Sequence, residues 1–525
     1  MFKKLEFNLT MKILIKCLFI YSLKTWSLVA SSQEYINVAI SSSPNNLNPL
    51  SSSDSSSQNI NRLVHRSLIE LDEKLNPICD LCESFQELHQ ELKKGGKYSI
   101  KFILKKNIKF WNNEEVSAHS IKQALEYYQS DDKKFNSIFR QSFLNIEKII
   151  IHNNYQFELI YKNYSIDYLS DLNLLKIIKI SNTQNEKIEL QDIVGCGDYT
   201  IKSLKPNEIT IHPLSHISHL LPLKFKVVSD ETTLALKILK KEIDISLANL
   251  SPRKFFWLEK QNASLKFFQQ ESSSYQYIAF NFKKPLMADL NVRKAIKLIL
   301  PIEDLINLKL RGTVKIASSF MSPLLGDFNL ESEKQDVVKN TLSDRVIAAN
   351  KLLDQAGLNL VNGARFTIDW IVPNNKQSME LVNTFKFYLD KINIKVNIHT
   401  QEWGTYLKSL KDGRFDIFMG SWIGFLNPGI MRLALHQDMC SPYGRNRGCY
   451  QNSEFSKLVD KALETNEKIK RDKIFLQALE IVNRELPYIH LWHPNTQVIT
   501  QGCIELDVNY PNGNFLILKT ARKNC

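Results

Sequence analysis

After residue 32 the chain has no apolar run long enough to cross a bilayer, which excludes a polytopic membrane protein. It also lacks G-x-S-x-G, G-x-x-x-x-G-K-[ST], H-E-x-x-H and a complete G-x-G-x-x-G, so no motif offers a catalytic nucleophile, a phosphate cradle or a zinc pair. The basic residues are scattered rather than interleaved with aromatics along one stripe, which argues against nucleic acid as a partner. No internal repeat and no long linker divides it. These absences leave a large globular protein without an evident reaction.

The 525 residues suffice for two or more domains. Charged residues make up 23% and hydrophobic ones 43%, ordinary for a globular chain, while the formal charge is +13. Part of that charge sits at the start, where Lys3, Lys4, Lys12, Lys16 and Lys24 face only Glu6. There Leu18-Phe19-Ile20-Tyr21-Ser22-Leu23 and Trp26-Ser27-Leu28-Val29-Ala30 form a short, interrupted apolar run. Ala30 and Ser32 supply small residues before Gln33. This reads as a secretory signal over residues 1–32, with Met1 or Met11 as its start, removed to leave a soluble exported protein. Cys79, Cys82, Cys196, Cys440, Cys449, Cys503 and Cys525 then remain, an odd set that leaves at least one thiol outside internal disulfides.

Between Phe366 and Met419 the hydrophobic period alternates. Phe366, Ile368, Trp370 and Val372 recur every second residue, and Leu381, Val382, Phe385 and Leu389 at helical spacing. Ile392, Ile394, Val396 and Ile398 return to period two. Trp403, Tyr406, Leu407 and Leu410 give a second helical face, and Phe415, Ile417 and Met419 a third strand. That is βαβαβ, half of a doubly wound parallel sheet, whose ligands sit beyond the carboxyl ends of the strands. Helices are expected through Phe455–Leu463 and Ile474–Val482, and an αβ unit around Phe225–Ile245. The first 190 residues mix helix with local antiparallel pairing, including a hairpin at 149–161.

Several segments in chain order resemble family 5 solute-binding proteins of ABC importers, which include dipeptide, oligopeptide and nickel binders. Asn37 to Leu50, carrying Ser42-Ser43-Pro44 and Leu47-Asn48-Pro49, is similar to the family's opening strand and "S-x-P-x-x-L-D-P" loop. Asp80-Leu81-Cys82-Glu83-Ser84-Phe85 resembles "D-L-A-E-S-W", and Val194-Gly195-Cys196-Gly197-Asp198-Tyr199 stands where the family has "G-T-G-P-Y". Ala279-Phe280-Asn281, Val292-Arg293-Lys294-Ala295-Ile296 and Ala349 to Gly357 resemble "G-F-N", "V-R-Q-A-I" and "A-x-x-L-L-x-x-A-G". The resemblance runs from about Ile36 to about Pro494. It implies an α/β, two-lobed periplasmic-binding-protein fold (class II, large peptide-binder type) with an extra subdomain inserted in lobe I. The expected division is 33–62 plus 193–281 plus 489–525 for lobe I, 63–192 for the inserted subdomain and 282–488 for lobe II. It also implies a monomer in the periplasm that closes on a peptide or peptide-like ligand and hands it to ABC permease subunits, with no cofactor, no metal and no catalytic residue. A metal-chelate or other small-solute binder of the same family is the alternative, with an exported hydrolase or a signalling receptor further off.

Gly420 to Pro428 follows the last parallel strand and matches the family's "G-W-x-A-D-Y-x-D-P". Trp422 offers an aromatic face for a ligand. Peptide-binding relatives carry an aspartate three positions after this tryptophan, for the ligand's α-amino group. Here that position is Phe425 and the segment is one residue shorter, which puts a free amino terminus in doubt, although a cation rests favourably on aromatic faces. Tyr275 and Asn281 lie on the strand leading from lobe I to lobe II and are expected to bind the ligand, Asn281 through its amide unless it fixes the hinge backbone instead. Arg293 suits a salt bridge on its helix. His212, His216 and His219 read as solvated loop residues, and Cys79 with Cys82 as a local disulfide or free thiols. The resemblance further implies a Cys440–Cys449 disulfide.

Overall fold

The computed structural model describes residues 35–525 apart from 53, 90–97, 248–249, 327, 329–340 and 443. The expected signal, residues 1–32, lies outside the described residues.

Two sheets organise the chain. The first has seven strands in the order Tyr199–Lys205, Glu208–Pro213, Leu223–Val227, Ile36–Ile40, Ile245–Ser246, Thr496–Thr500 and Lys266–Gln270. Ile36–Ile40 is central and parallel to both neighbours, so its side chains Ile36, Val38 and Ile40 are buried. The second has six strands in the order Val314–Ile316, Tyr488–Pro494, Tyr275–Phe280, Ile417–Trp422, Phe366–Pro373 and Ile394–Gln401.

The βαβαβ unit forms as its periodicity predicts. Phe366–Pro373 runs parallel to both Ile394–Gln401 and Ile417–Trp422, with helices Lys376–Asp390 and Trp403–Asp412 as crossovers. The first crossover begins where the Asn375 side chain accepts the Ser378 N–H at 2.9 Å. It buries Leu381, Val382, Phe385 and Leu389, and Phe385 stacks on the fully buried Trp370 with ring centres 5.9 Å apart. The second ends at Gly413, whose φ of +70° supplies the left-handed cap.

A four-stranded antiparallel sheet, in the order Cys82–His89, Tyr98–Leu104, Gln156–Tyr161 and Ile146–Asn153, packs with helix Ala118–Gln129 over one core. It is inserted between the first strand of the seven-stranded sheet and the rest. Helices Ser453–Leu463 and Lys468–Glu485 cover the second sheet, and the latter stops at Leu486, in the left-handed region, before Pro487.

Two connections cross between the main sheets side by side. Lys266–Gln270 leads through Glu271–Ser274 into Tyr275–Phe280, and Tyr488–Pro494 leads through Asn495 into Thr496–Thr500. Gln270 pairs with Thr496 in the first sheet, whereas Gln276 already pairs with Trp492 in the second. Ser272 Oγ donates to Pro494 O at 2.6 Å across the pair. The crossing therefore falls earlier than a lobe I segment ending at 281, and later than one resuming at 489. Strands Tyr275–Phe280 and Tyr488–Pro494 are second-sheet strands, because their long-range partners decide the matter.

Among the described residues three disulfides join Cys79 to Cys82, Cys440 to Cys449 and Cys503 to Cys525, and Cys196 is a buried free thiol. Burial pushes the Cys196 thiol up to about 12, so it stays protonated and unreactive at neutral pH. Among the described residues no helix is long and apolar enough to cross a membrane.

Candidate ligand site after the strand ending at Trp422

Antiparallel pairing sets Trp422 directly opposite Tyr275 and Gly420 opposite Tyr277. Directly opposed residues share a face, so all four line the same side of the second sheet. Gly420 is required there, since a β-carbon would lie 2.7 Å from the Tyr277 ring. Trp422 is half-buried against the aromatic and aliphatic core of that face. The chain then turns: Ile423 is 83% exposed, and Gly424 adopts a φ of +59° while its N–H reaches Ser274 Oγ at 3.2 Å.

Tyr275 is fully buried. Its hydroxyl bonds His490 Nδ1, and His490 Nε2 in turn meets Asn483 Oδ1 at 2.8 Å. A neutral imidazole satisfies both contacts when Tyr275 donates and Nε2–H is the donor to Asn483. Burial, with Lys297 and His493 adding, drives His490 down to about 3. His493, whose Nδ1 faces Ser274 O at 3.0 Å, is held down at about 4, again chiefly by burial. Tyr277 and Phe320 complete the enclosure, at ring distances of 5.4 and 4.9 Å from Tyr275. Tyr275 is thus sealed in an aromatic cluster beside the crossing strands and offers no surface to a ligand.

Asn281 is likewise spent. Its amide donates to Gly413 O at 3.0 Å and Phe415 O at 2.9 Å, and its Oδ1 accepts the Lys283 N–H at 3.2 Å. It brackets the opposite end of its strand, about 20 Å from Tyr275 at the usual rise per residue. Among the described residues Arg293 forms no salt bridge of the expected kind. It donates to the carbonyls of Glu485, Leu486 and Met287 and lies over the Phe282 ring at 4.6 Å. Those carbonyls include the orphaned end of helix Lys468–Glu485, so Arg293 caps it. His212 sits on the strand Glu208–Pro213 rather than in a loop, with its Nε2 3.1 Å from the Tyr35 hydroxyl. No group of three or more candidate metal ligands occurs among the described residues.

Phe425 is buried, its ring 5.9 Å from Phe320. Beside it a cavity of about 370 Å³ opens between the inserted subdomain and the second sheet's helices. Asp167, Ser170 and Asp171 line one side, and Phe425, Leu433 and Leu463 the other. The Asn427 amide donates to Asp167, and Tyr164 Oη meets Arg471 Nη1 at 2.8 Å, so the inserted subdomain touches the second lobe along this seam. Burial raises Asp167 despite its hydrogen bonds from Asn427 and Ser165. Burial and the neighbouring Asp167 raise Asp171 to about 7. Neither aspartate stands out in the sequence, where they look like two more surface acids. A larger recess of about 630 Å³ on the inserted subdomain is walled by charged side chains that pair among themselves, Lys179 with Glu114 and Lys122 with Glu126.

The loop Cys440–Cys449 docks against the same lobe. The Phe282 N–H donates to Gly448 O at 2.8 Å, and the Asn446 amide holds the carbonyls of Leu435, His436 and Tyr450.

Comparison with known proteins places this architecture. The profile of the bacterial extracellular solute-binding proteins, family 5 Middle, matches residues 89–435. The chain is 24% identical over 481 residues to the oligopeptide-binding protein AppA of Bacillus subtilis strain 168, spanning 87% of this chain and 85% of that one. In structure it is similar to the ABC transporter substrate-binding protein CtaP of Listeria monocytogenes, with a TM-score of 0.79 at 16% identity over 94% of this chain and 99% of that one. It is also similar to NikZ of Campylobacter jejuni in complex with Ni(L-His), with a TM-score of 0.73 at 17% identity over 94% of this chain and all of that one.

Proposed function

The chain belongs to the bacterial extracellular solute-binding proteins, family 5, and from that premise we propose that it captures a peptide or peptide-like ligand between its two lobes in the periplasm and delivers it to the permease of an ABC importer. One observation carries the reading: the chain crosses twice, side by side, between two sheets, and a cavity opens where the loop after Trp422 meets the inserted subdomain. A pair of rigid lobes joined by short crossings is the arrangement that hinge closure needs. Closure then follows from the extra contacts a ligand makes in the closed state. The Trp422 ring supplies apolar surface to a ligand and Ile423 the exposed rim. The disulfides Cys79–Cys82 and Cys503–Cys525 suit an oxidising compartment.

In this reading the protein binds and releases without chemistry. Mass spectrometry of what co-purifies from the native host identifies the ligand, and peptides of a few residues are the expected finding. Incubation with a peptide pool should return it uncleaved. A co-purified sugar or metal chelate, or cleavage products, would overturn the proposal.

A further inference from the structure

We infer that Tyr164, Ile166 and Arg471 form a clasp between the inserted subdomain and the second lobe, and that this clasp sets how tightly every ligand is held. None of the three lines the cavity beside Phe425. The inference rests on the two-lobed binder reading above and adds the contacts that fix its open and closed populations.

Ile166 packs into the lobe opposite its own. It stands in the loop 162–167 that leaves strand Gln156–Tyr161, and it takes no part in the core of its own subdomain. Its side chain joins the apolar core of the second lobe instead. Among the described residues of that core it alone comes from outside 275–488. A β-carbon at Gly429 would stand 3.5 Å from Ile166 Cδ1 and 3.3 Å from Leu463 Cδ2, so the side chain fills the space over a glycine. That apolar surface returns to water whenever the lobes part, at a cost that grows with the area exposed.

Polar contacts flank it on both sides. Tyr164 Oη lies 2.8 Å from Arg471 Nη1, and the same guanidinium donates to Thr465 O at 3.3 Å and Asn466 O at 3.4 Å. On the other side the Asn427 amide donates to Asp167, while Asn427 Oδ1 accepts the Gly429 N–H at 2.8 Å. Both halves of the clasp are anchored. Tyr164 packs edge-on against Tyr98 of the four-stranded sheet, with ring centres 5.1 Å apart, and Arg471 belongs to the first turn of helix Lys468–Glu485. No residue of the clasp lies in either crossing between the main sheets. Hinge opening therefore pulls Ile166 off Gly429 and Tyr164 off Arg471 together. The clasp stabilises the closed state alone, and apparent affinity scales with the population of the competent state. Ligand contacts rank the ligands; the clasp moves all of them by one common factor.

The test uses the full chain carrying spin labels at Gln123→Cys on the subdomain and Lys386→Cys on the second lobe, both exposed positions. Double electron–electron resonance measures the distance between them without ligand. Ile166→Ser and Arg471→Ala, one from each side of the seam, should each raise the ratio of long to short distances by about fivefold or more. Ile166→Ser leaves the core of its own subdomain untouched, so it reports on the clasp and not on folding. Affinities and release rates are then measured for the peptides that the wild type retains from a pool of tri- to pentapeptides. Every retained peptide should weaken by the same factor, through faster release, with the rank order kept. Ligand-free distances unchanged in both variants would overturn the inference. A changed rank order would overturn it too, because it would put these residues in the ligand site. A wild type that retains no peptide would overturn the peptide reading instead, while the ligand-free distances still decide the clasp.

Discussion

On one side of the loop after Trp422, Tyr275, His490 and His493 are enclosed with each described polar contact matched; on the other, Asp167 and Asp171 border an open cavity with charge left over. Both regions contain buried titratable groups with shifted affinities for protons, but the shifts have opposite meanings. In the sealed cluster burial keeps the imidazoles neutral, which removes charge from a dry interior. At the cavity burial raises carboxylates that a cation would relieve. Tyr275, expected at the ligand for its place on the strand between the lobes, is used here to hold a lobe together. The acids that line the cavity stand on a short turn of the inserted subdomain.

The largest test of this contrast is truncation. Tyr275→Ala should cost about 3–5 kcal/mol of stability, because it opens a cavity and strands His490. Leu433→Ala, on the cavity rim and 41% exposed, should change stability by no more than ~0.5 kcal/mol. Denaturant unfolding of both variants measures the gap, and similar losses would erase the distinction between sealed and open sides.

Next in size is the disulfide of the loop Cys440–Cys449, which docks at the opposite end of the Tyr275–Phe280 strand. Replacing Cys440 and Cys449 together by serine should lower stability by roughly 2.5–3 kcal/mol, the unfolded-state entropy of a loop of about ten residues. Unfolding under oxidising conditions, compared with the wild type, reads it directly. A loss below ~1 kcal/mol would mean that the Asn446 bracket holds the loop without the covalent link.

The proton linkage has opposite signs in the two regions. His493 falls from 6.5 in the unfolded chain to about 4 in the fold. The unfolded state therefore binds more protons between those values, and stability drops as pH falls through that window. His493→Gln, which keeps a donor for Ser274 O, should flatten the acid limb by about 1.4 kcal/mol per pH unit. Asp171 rises from 3.8 to about 7, so its contribution is present in acid and is lost as pH rises through 7. Asp171→Asn should steepen the gain in stability from about pH 4 to 7 by a similar amount. Chemical unfolding at several pH values separates the two, and shifts of the same sign would refute the contrast.

The smallest expected effect is at the boundary. Trp422→Ala should weaken peptide binding by more than tenfold, about 1.4 kcal/mol, and leave the fold intact. Calorimetry with the retained peptide decides it, and unchanged affinity would make Trp422 part of the sealed wall.

Much of the fold was legible because local periodicity and sheet position coincide. In Phe366–Met419 the changes between period two and helical spacing mark real elements, whereas the Asn375 cap shows only in the structure. The position of Trp422 at the end of a parallel strand was legible for the same reason. The burial of Tyr275 was not, because His490 stands 215 positions away and the sequence carries no sign that the two meet. Asn281 follows the second of its two readings and fixes backbone, while Arg293, read as a salt-bridge partner, caps a helix through carbonyls instead. The lobe boundary failed by a few residues because strands change sheets without any change of pattern. Asp167 and Asp171 were invisible, since a short polar turn becomes a wall only when the second lobe faces it.

The side-by-side crossings have a mechanical consequence. A single connecting strand would let one lobe swing, tilt and twist like a weight on a cord. Two strands laced together, Gln270 to Thr496 on one side of the crossing, Ser272 to Pro494 within it and Gln276 to Trp492 on the other, resist splaying, because any tilt out of their common plane must stretch one while slackening its neighbour. What remains soft is rotation about the line joining the two crossings, a motion with one degree of freedom. The lobes therefore meet along the same seam at every closure, as a door on two pins always meets its frame.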